Sequence, residues 1–285
     1  MNSQLKPDRQ KLSFYQTGML SFPALFPGQA EDSQQAGSKA YKLELVFDTP
    51  DQSLVNALAY CAQFHDFDQR INPRTGRPMW ERHIYGAEGR LKKLEEYPKR
   101  KPETYPYAVN KYVVGISKVV SLKGLKMEGA NLTDPLVRAE YDRKVAQAAP
   151  KVSKFLNPHD PADEQWVGEE NQRRQFANMP PIMPEQMHLH TRPVRSDEVW
   201  AGWTVKVFGR VYWDAKTHKT GLLALEQVLC VAPGDRLVAG EASPDDVFGS
   251  FAPTADLAPA PQPFGFQYQP QQAPINPADP WAAYR

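Results

Sequence analysis

The spacing of apolar residues predicts two strands and a helix in the first part of the chain. Residues 12–26 and 41–47 have the character of strands, and in the second of these every other residue from Tyr41 to Phe47 is large and apolar. Residues 50–64 place Leu54, Leu58 and Cys61 at helical spacing, with Thr49 as a plausible cap. The chain therefore begins with the order β-β-α.

Further along, the pattern predicts a strand over residues 111–120 and a helix over 132–149. The helix follows the start signal Thr133-Asp134-Pro135, and we expect Leu136, Tyr141 and Val145 to form its buried stripe. Residues 157–193 are rich in Pro, Met, Gln and charge and show no clear period. We interpret them as a long functional or flexible loop.

Two strong strands, residues 199–213 and 222–231, complete the pattern. About five mostly antiparallel strands with one or two helices predict a mainly β protein, an OB-fold-like Greek-key barrel. Periodicity alone leaves another small barrel or a sandwich open. We expect one domain over residues 1–251 with insertions at about 66–106 and 157–193, followed by a disordered Pro-, Ala- and Gln-rich tail at 252–285.

The strand VWAGWTVKVFGRVYW carries the most informative pattern. Its odd positions from Val199 to Trp213 are nearly all apolar and predict a face toward the barrel interior. Its even positions mix aromatics with cations, which suits a base-stacking surface beside groups that neutralise phosphate. The candidate binding residues on this face are Trp200, Lys206, Phe208, Arg210 and Tyr212. The alternative is that Phe208 and Tyr212 cover a second hydrophobic layer.

Charge is unevenly distributed along the chain. The whole sequence has 34 basic and 33 acidic residues, whereas the segment 66–126 has fourteen and seven, a local net charge of +7. Tyrosines are interspersed there, which indicates a basic groove with stacking partners, or alternatively a solvated charged insertion. The candidate binding residues of this segment are Lys99, Arg100, Lys101, Tyr105, Tyr107, Lys111, Tyr112 and Lys118.

Signals for an enzyme or a metal site are weak. The sequence has no phosphate-binding GxxxxGK[ST], no HExxH and no GxSxG motif, so we expect no catalytic residue, no metal and no cofactor. His188 and His190 lack a third ligand nearby, and the pair Asp66 and Asp68 is common on solvated loops. Cys61 and Cys230 lie in apolar patterns typical of a core.

The chain shows no basic-then-apolar leader and no long apolar run, so we expect a cytoplasmic protein. Two cysteines far apart, with no CxxC spacing, also argue against a disulfide-stapled secreted domain.

With these segments in view, residues 11–251 resemble the OB-fold single-stranded DNA-binding proteins of tailed bacteriophages. The most specific similarity is VWAGWTVKVFGRVYWDAKTHKTGLLALEQVLCVAPGDRL followed by DDVFGSF; LSFPALF, AYKLELVFD and YVVGISK resemble the opening and middle strands. The resemblance implies sequence-tolerant binding of single-stranded DNA in phage replication and recombination, in the host bacterial cytoplasm, without catalysis or a cofactor. Tails in this family are often acidic, whereas the only acidic residues of the segment 252–285 are Asp256 and Asp279.

Two other classes of function stay open from the sequence. The first is a structural or assembly protein that uses the aromatic strand as a protein interface, and the second is a nuclease or metal-dependent enzyme. The tail keeps two large aromatics near its end, Trp281 and Tyr284. We expect these to dock on phage replication or recombination proteins. The alternative is an ordinary disordered end that carries two aromatics without a docking role.

Overall fold

The computed structural model describes residues 7–33, 37–65, 71–74, 76–86, 89–213 and 221–237. The predicted mainly β class is confirmed, because one sheet of eight strands forms the centre of the structure. The tail with Trp281 and Tyr284 lies outside the described residues, so its docking role stays a prediction. Among the helices in the described ranges, none combines the length and apolarity that a membrane span needs.

The strands and helices follow the predicted order closely at the start and end of the chain. The strands are β1 (Ser13–Ala24), β2 (Glu31–Asp32), β3 (Lys39–Phe47), β4 (Tyr112–Val120), β5 (Lys151–Phe155), β6 (Thr191–Pro193), β7 (Thr204–Trp213) and β8 (Gly221–Ala232). The α-helices are α1 (Gln52–His65), α2 (Pro135–Gln147) and α3 (Pro161–Phe176). Short 3₁₀ turns occupy Met79–His83, Leu94–Glu96, Pro106–Ala108 and Pro184–Leu189.

Five of these strands close into a ring. β1 pairs antiparallel with β3 and β7, β3 pairs with β4, and β7 pairs with β8. A parallel contact between β4 and β8, at Ser117 and Ala224, completes the circle. β5 and β6 extend the sheet beyond β8. The sheet therefore has a barrel part with an inner and an outer face and a short flap alongside it.

The inner face of the ring holds the main core. Val205, Val207 and Val211 of β7 are fully buried, which confirms the predicted inward face of that strand. α1 packs against β1 and β7 through Leu54 and Leu58, which belong to the same core. Cys61 and Cys230 are buried there as expected, and burial raises the pKa of each thiol to about 12.

The prediction of a loop over residues 157–193 is wrong, because α3 lies inside this range. Asp160 caps it by accepting a hydrogen bond from the Ala162 amide at 3.0 Å, and Pro161 stands in its first turn. Only Asp163 and Val167 of the helix are buried, so it shows no wide apolar stripe. The weak periodicity of this sequence comes from that small contact area.

Residues 157–193, which we call the α3 excursion, are attached to the sheet by a buried ion network. Asp163 is completely buried, and it accepts a hydrogen bond from Arg192 Nε at 2.6 Å and pairs with Lys154 Nζ at 2.9 Å. Arg192 also forms a two-pronged contact with Glu198, just before β7. The hydrogen bonds from Arg192 lower the pKa of the Glu198 carboxyl. Charge pairing thus adds to the small apolar cluster of Leu156, Val167, Ile182 and Met187 in attaching the excursion.

For α2 the predicted helix is confirmed, and Tyr141 and Val145 are buried as expected. Leu136, however, is 82% exposed, so its assignment to the buried stripe is wrong. The face that packs on the cluster around Tyr41 is formed by Val137, Tyr141 and Val145, spaced by four residues, and Leu136 lies one position off this face.

Candidate nucleic-acid interface

The site begins at β1, whose free edge is held by the start of α1. The Ser53 hydroxyl donates to the Tyr15 carbonyl at 2.8 Å and accepts from the Tyr15 amide at 3.0 Å. The Asp51 carboxylate accepts a hydrogen bond from the Thr17 amide at 2.8 Å. Because the backbone around Tyr15 is fixed on both sides, its side chain has a defined position on the outer face of the barrel.

On this outer face, cross-strand pairing brings separate parts of the sequence into rows. One row runs Tyr15, Phe208, Gln227, Lys151 across β1, β7, β8 and β5. The neighbouring row runs Thr17, Lys206, Leu229, Ser153. We call the surface formed by these two rows the aromatic face. It combines two aromatic rings with two lysines contributed by three different strands.

Tyr15 and Phe208 form a continuous aromatic surface at the centre of the aromatic face. Their ring centroids are 5.0 Å apart at an interplanar angle of 36°, and Tyr15 is 51% exposed. Lys206 Nζ lies 5.3 Å from the centroid of the Tyr15 ring, within cation–π range. A groove of about 260 Å³ runs beside them, lined in part by Lys151, Ser153 and Thr191. Flat rings and ammonium groups therefore border one open groove.

In the described residues, neither Phe208 nor Tyr212 belongs to one of the buried apolar clusters. Phe208 is half-buried against Tyr15, and Tyr212 is 41% exposed on the same side of β7. This arrangement gives no support to the alternative in which the two rings cover a second hydrophobic layer.

Arg210 lies on the same side of β7 but is already paired. Its Nη2 lies 2.9 Å from Glu226 Oε1. Burial lowers the pKa of the neighbouring Lys118, against the opposing influence of the Glu226 carboxylate. Arg210, Glu226 and Lys118 thus form a charge group with one positive charge in excess at the border of the aromatic face.

Trp200 does not share this face, so its assignment there is wrong. β7 begins only at Thr204, and Trp200 lies in the preceding turn, where its ring packs edge-on against Trp203 at 5.5 Å. Its Nε1 donates to the Gly234 carbonyl at 3.0 Å. The turn needs Gly202, with φ +114°, because a Cβ there would meet the Asp235 carbonyl oxygen. Alternation in the sequence extends upstream of the true start of the strand at Thr204.

The part of the basic segment that precedes β4, residues 89–111, lies over the outer face of β3 and β4, and we call it the roof. Leu94 and Ala108 are buried against Val46 and Val113 of these strands, and the Tyr97 hydroxyl donates to the Val113 carbonyl at 2.6 Å. Tyr105 and Tyr107 are half-buried in the same cluster. These two predicted stacking residues therefore pack mainly within the protein.

Several cations of the roof also have partners inside the protein. Arg100 is ion-paired with Glu44 and lies over the Tyr97 ring at 4.7 Å. Burial alone would lower the pKa of Arg100, but the Glu44 carboxylate outweighs burial and raises it. Arg90 Nη2 donates to the Gly115 carbonyl at 2.8 Å, and burial lowers the pKa of Arg90. By contrast, Lys99 and Lys101 are exposed on either side of Arg100.

The remaining predicted residues lie at the junction of the roof and β4. Lys111 is 3.8 Å from the Asp48 carboxylate, a weak surface pair. Tyr112 stacks on Phe47 at 5.9 Å, with Lys93 Nζ at 5.9 Å from its ring. Lys111 and Tyr112 are thus brought near the roof and not onto the aromatic face.

Sequence reasoning missed Tyr15 and Lys151. Tyr15 lies between the buried side chains of Phe14 and Gln16, and this alternation alone indicates an outward side chain. Its position opposite Phe208 depends on strand register, which the sequence does not reveal. Lys151 begins β5, a short strand that the pattern did not indicate.

The predicted metal-ligand candidates lie outside the aromatic face or outside the described residues. Within the described ranges, no group of three or more His, Cys, Asp or Glu side chains is arranged to hold a metal ion. His188 lies exposed in the 3₁₀ turn Pro184–Leu189, and His190 follows it. Asp66 and Asp68 fall outside the described residues.

Comparisons with known proteins add two similar structures. No protein-family model matches the sequence, and a search of curated proteins finds no match. The structure is similar to the single-stranded DNA-binding protein from bacteriophage Enc34, with a TM-score of 0.38, 10% identity, and coverage of 86% of this chain and 97% of that one. A C-terminal truncation of the Enc34 protein is similar with a TM-score of 0.34 and 13% identity, and the match covers 83% of this chain and 95% of that one. The function proposed below rests on the geometry of the aromatic face.

Proposed function

We propose that this protein binds single-stranded DNA, without sequence preference and without catalysis, through the aromatic face. The observation that carries the proposal is the row Tyr15, Phe208, Gln227, Lys151, with Lys206 beside it. Exposed rings that present their faces to a groove accept unpaired bases by stacking, and nearby ammonium groups neutralise the phosphates. This combination is the usual composition of a single-strand binding surface.

The same geometry favours an unpaired strand over a duplex. In a duplex the base faces are already stacked on each other, so Tyr15 and Phe208 would find no free partner. Every base has a flat face, so the rings of Tyr15 and Phe208 accept any base by stacking, while Ser153, Thr191 and Gln227 line the rest of the groove. Stacking on such a surface is therefore tolerant of sequence.

We infer that the barrel belongs to the OB class. The ring order β1, β3, β4, β8, β7, with its parallel contact between β4 and β8, supports this assignment. OB barrels often bind on the outer face of their second and third strands, here β3 and β4. In this protein the roof covers that face at Val46 and Val113, and a groove of about 440 Å³ stays open beside Lys42, Glu44 and Ser117. The aromatic face is the better candidate because it places two neighbouring rings and two lysines at one groove.

We also propose a role in phage DNA replication or recombination, with a partner recruited by Trp281 and Tyr284. What supports this is the sequence resemblance to phage single-strand binding proteins together with the composition of residues 252–285. A tethered aromatic tip would act near the strand while the barrel stays bound to it.

Substitution of the two rings tests the proposed function. Phe208→Ala and Tyr15→Ala should each weaken binding of a labelled oligo-dT by about 1–3 kcal/mol, measured by fluorescence anisotropy, with the fold intact. Phe176→Ala is the matched control, because Phe176 is an exposed aromatic on α3 that lines no part of the groove. If the ring variants bind like wild type, the aromatic face is not the binding surface. Loss of oligonucleotide integrity with magnesium would instead support the nuclease class.

A further inference from the structure

A second groove lies beside the aromatic face, between the residues that precede β1 and the exposed side of α1. It has a volume of about 400 Å³ and is lined by Gln10, Lys11, Ser13, Ser53, Asn56 and Tyr60. We propose that this groove binds a further nucleotide of the same DNA strand, with Tyr60 as its stacking surface and Lys11 as its phosphate partner. The inference rests on the proposed function and adds a second binding station to it.

The side chains of the groove repeat the composition of the aromatic face. Tyr60 and Phe64, one helical turn apart on α1, have ring centroids 6.1 Å apart at 44°. Lys11 Nζ lies 5.4 Å from the centroid of the Tyr60 ring. On the aromatic face, the tilted pair Tyr15 and Phe208 has Lys206 at 5.3 Å. A tilted ring pair with an ammonium group over one ring thus occurs twice.

The Tyr60 ring is held in place at its far end. Its hydroxyl accepts a hydrogen bond from the Asp8 amide at 3.0 Å, which ties the N-terminal segment to α1. Tyr60 is half-buried because its inner edge packs on the main core. A ring fixed in this way loses little conformational freedom when a base stacks on it.

The groove lies next to the aromatic face, with two serines between them. Ser13 stands two residues before Tyr15 in β1, so both side chains point to the outer face. Ser53, which binds the Tyr15 backbone, also lines the groove. A strand that leaves Tyr15 toward the start of β1 enters the groove directly. Its six lining residues include Lys11 and no carboxylate, and the bordering Asp8 carboxylate accepts a hydrogen bond from the Gln10 amide at 2.9 Å. Lys11 is therefore the residue that would contact a phosphate.

Length dependence of binding tests this inference. The affinity of oligo-dT from about 4 to about 16 nucleotides, the range of OB site sizes, should be measured for wild type, Lys11→Ala, Lys11→Glu and Tyr60→Leu. The variants should match wild type on the shortest oligonucleotide that binds and fall behind on longer ones. Tyr60→Leu should lose about five- to 150-fold there, the equivalent of stacking one base. Lys11→Ala should flatten the slope of log affinity against log salt by about 0.7.

The controls separate the inference from the proposed function. Lys123→Ala removes an exposed lysine that lines neither groove and should match wild type at every length. Lys11 is exposed, so its variants keep the test valid even if Tyr60→Leu unfolds. If Phe208→Ala weakens binding but the Lys11 variants match wild type at every length, the second station is wrong and the proposed function stands. If Phe208→Ala also binds like wild type, both are wrong.

Discussion

At the scale of single residues, Gly209 shapes the aromatic face without contacting a ligand. It sits at a shift of register between β7 and β8, directly after Phe208. A Cβ on Gly209 would lie 2.6 Å from the Phe14 ring and 2.5 Å from the Ala224 carbonyl oxygen. The absence of a side chain lets the buried Phe14 ring fill the barrel below the groove.

Gly209→Ala should therefore destabilise the fold by about 1–3 kcal/mol through overpacking of the core. Denaturant unfolding followed by circular dichroism measures this change. Gly168→Ala on α3 is the matched control, since a Cβ there meets nothing within 4 Å. Equal stability of Gly209→Ala and wild type would contradict the close contact with Phe14.

The directions of the side chains on β7 could be predicted from the sequence, whereas their contacts with distant residues could not. The inward side of β7 and the outward Lys206 and Phe208 follow from alternation alone, and both are confirmed. The partner ring Tyr15 is about 190 positions away in sequence, so only the register of β1 against β7 brings it to Phe208. The assignment of Trp200 failed because a turn at Gly202 precedes the strand, which begins only at Thr204.

At the scale of elements, the excursion that carries α3 depends on Arg192. Arg192→Met should destabilise the protein by about 3–5 kcal/mol, because it leaves the buried Asp163 without its guanidinium partner. Thermal unfolding measures the loss, and Arg195→Met, which removes an exposed ion pair nearby, should cost less than about 1 kcal/mol. Similar losses for both variants would show that the buried network does not hold the excursion.

The same network predicts a dependence on pH. Pairing with Arg192 lowers the pKa of Glu198 from its ordinary value of 4.5, so the folded state favours the ionised carboxylate. The resulting stability is present above the ordinary pKa and is lost as pH falls through the lowered pKa. Thermal unfolding at a series of pH values measures this loss on acidification, which should be smaller in Glu198→Gln because that variant has no carboxylate to protonate.

Also at this scale, the roof contains two kinds of cation, exposed lysines and an arginine that is ion-paired within the protein. Lys99→Ala with Lys101→Ala should flatten the slope of log affinity against log salt by roughly 0.7 for each phosphate that these lysines neutralise, at unchanged stability. Arg100→Ala should instead lower stability, because it leaves Glu44 unpaired under the roof. An unchanged salt slope in the double variant would assign Lys99 and Lys101 to a solvated surface.

Across the whole molecule, some elements pack on one large apolar core, and others are held by hydrogen bonds, ion pairs and small apolar clusters. Regular strands and α1 were predictable because their apolar faces meet one core and so repeat with the period of the element. The roof and the α3 excursion were not, because hydrogen bonds, ion pairs and small satellite clusters hold them. The aromatic face takes Tyr15, Lys206 and Phe208 from the predictable barrel and Lys151 from β5, which the pattern did not indicate.

Matched single-stranded and duplex oligonucleotides test the central claim most directly. In a competition titration monitored by anisotropy, the full chain should bind the single strand at least about tenfold more tightly than the duplex, a difference of about 1.4 kcal/mol. Added salt should weaken this binding, and Phe208→Ala should remove most of the preference. Equal affinity for both oligonucleotides, or a preference that Phe208→Ala leaves unchanged, would contradict recognition of unpaired bases by the aromatic face.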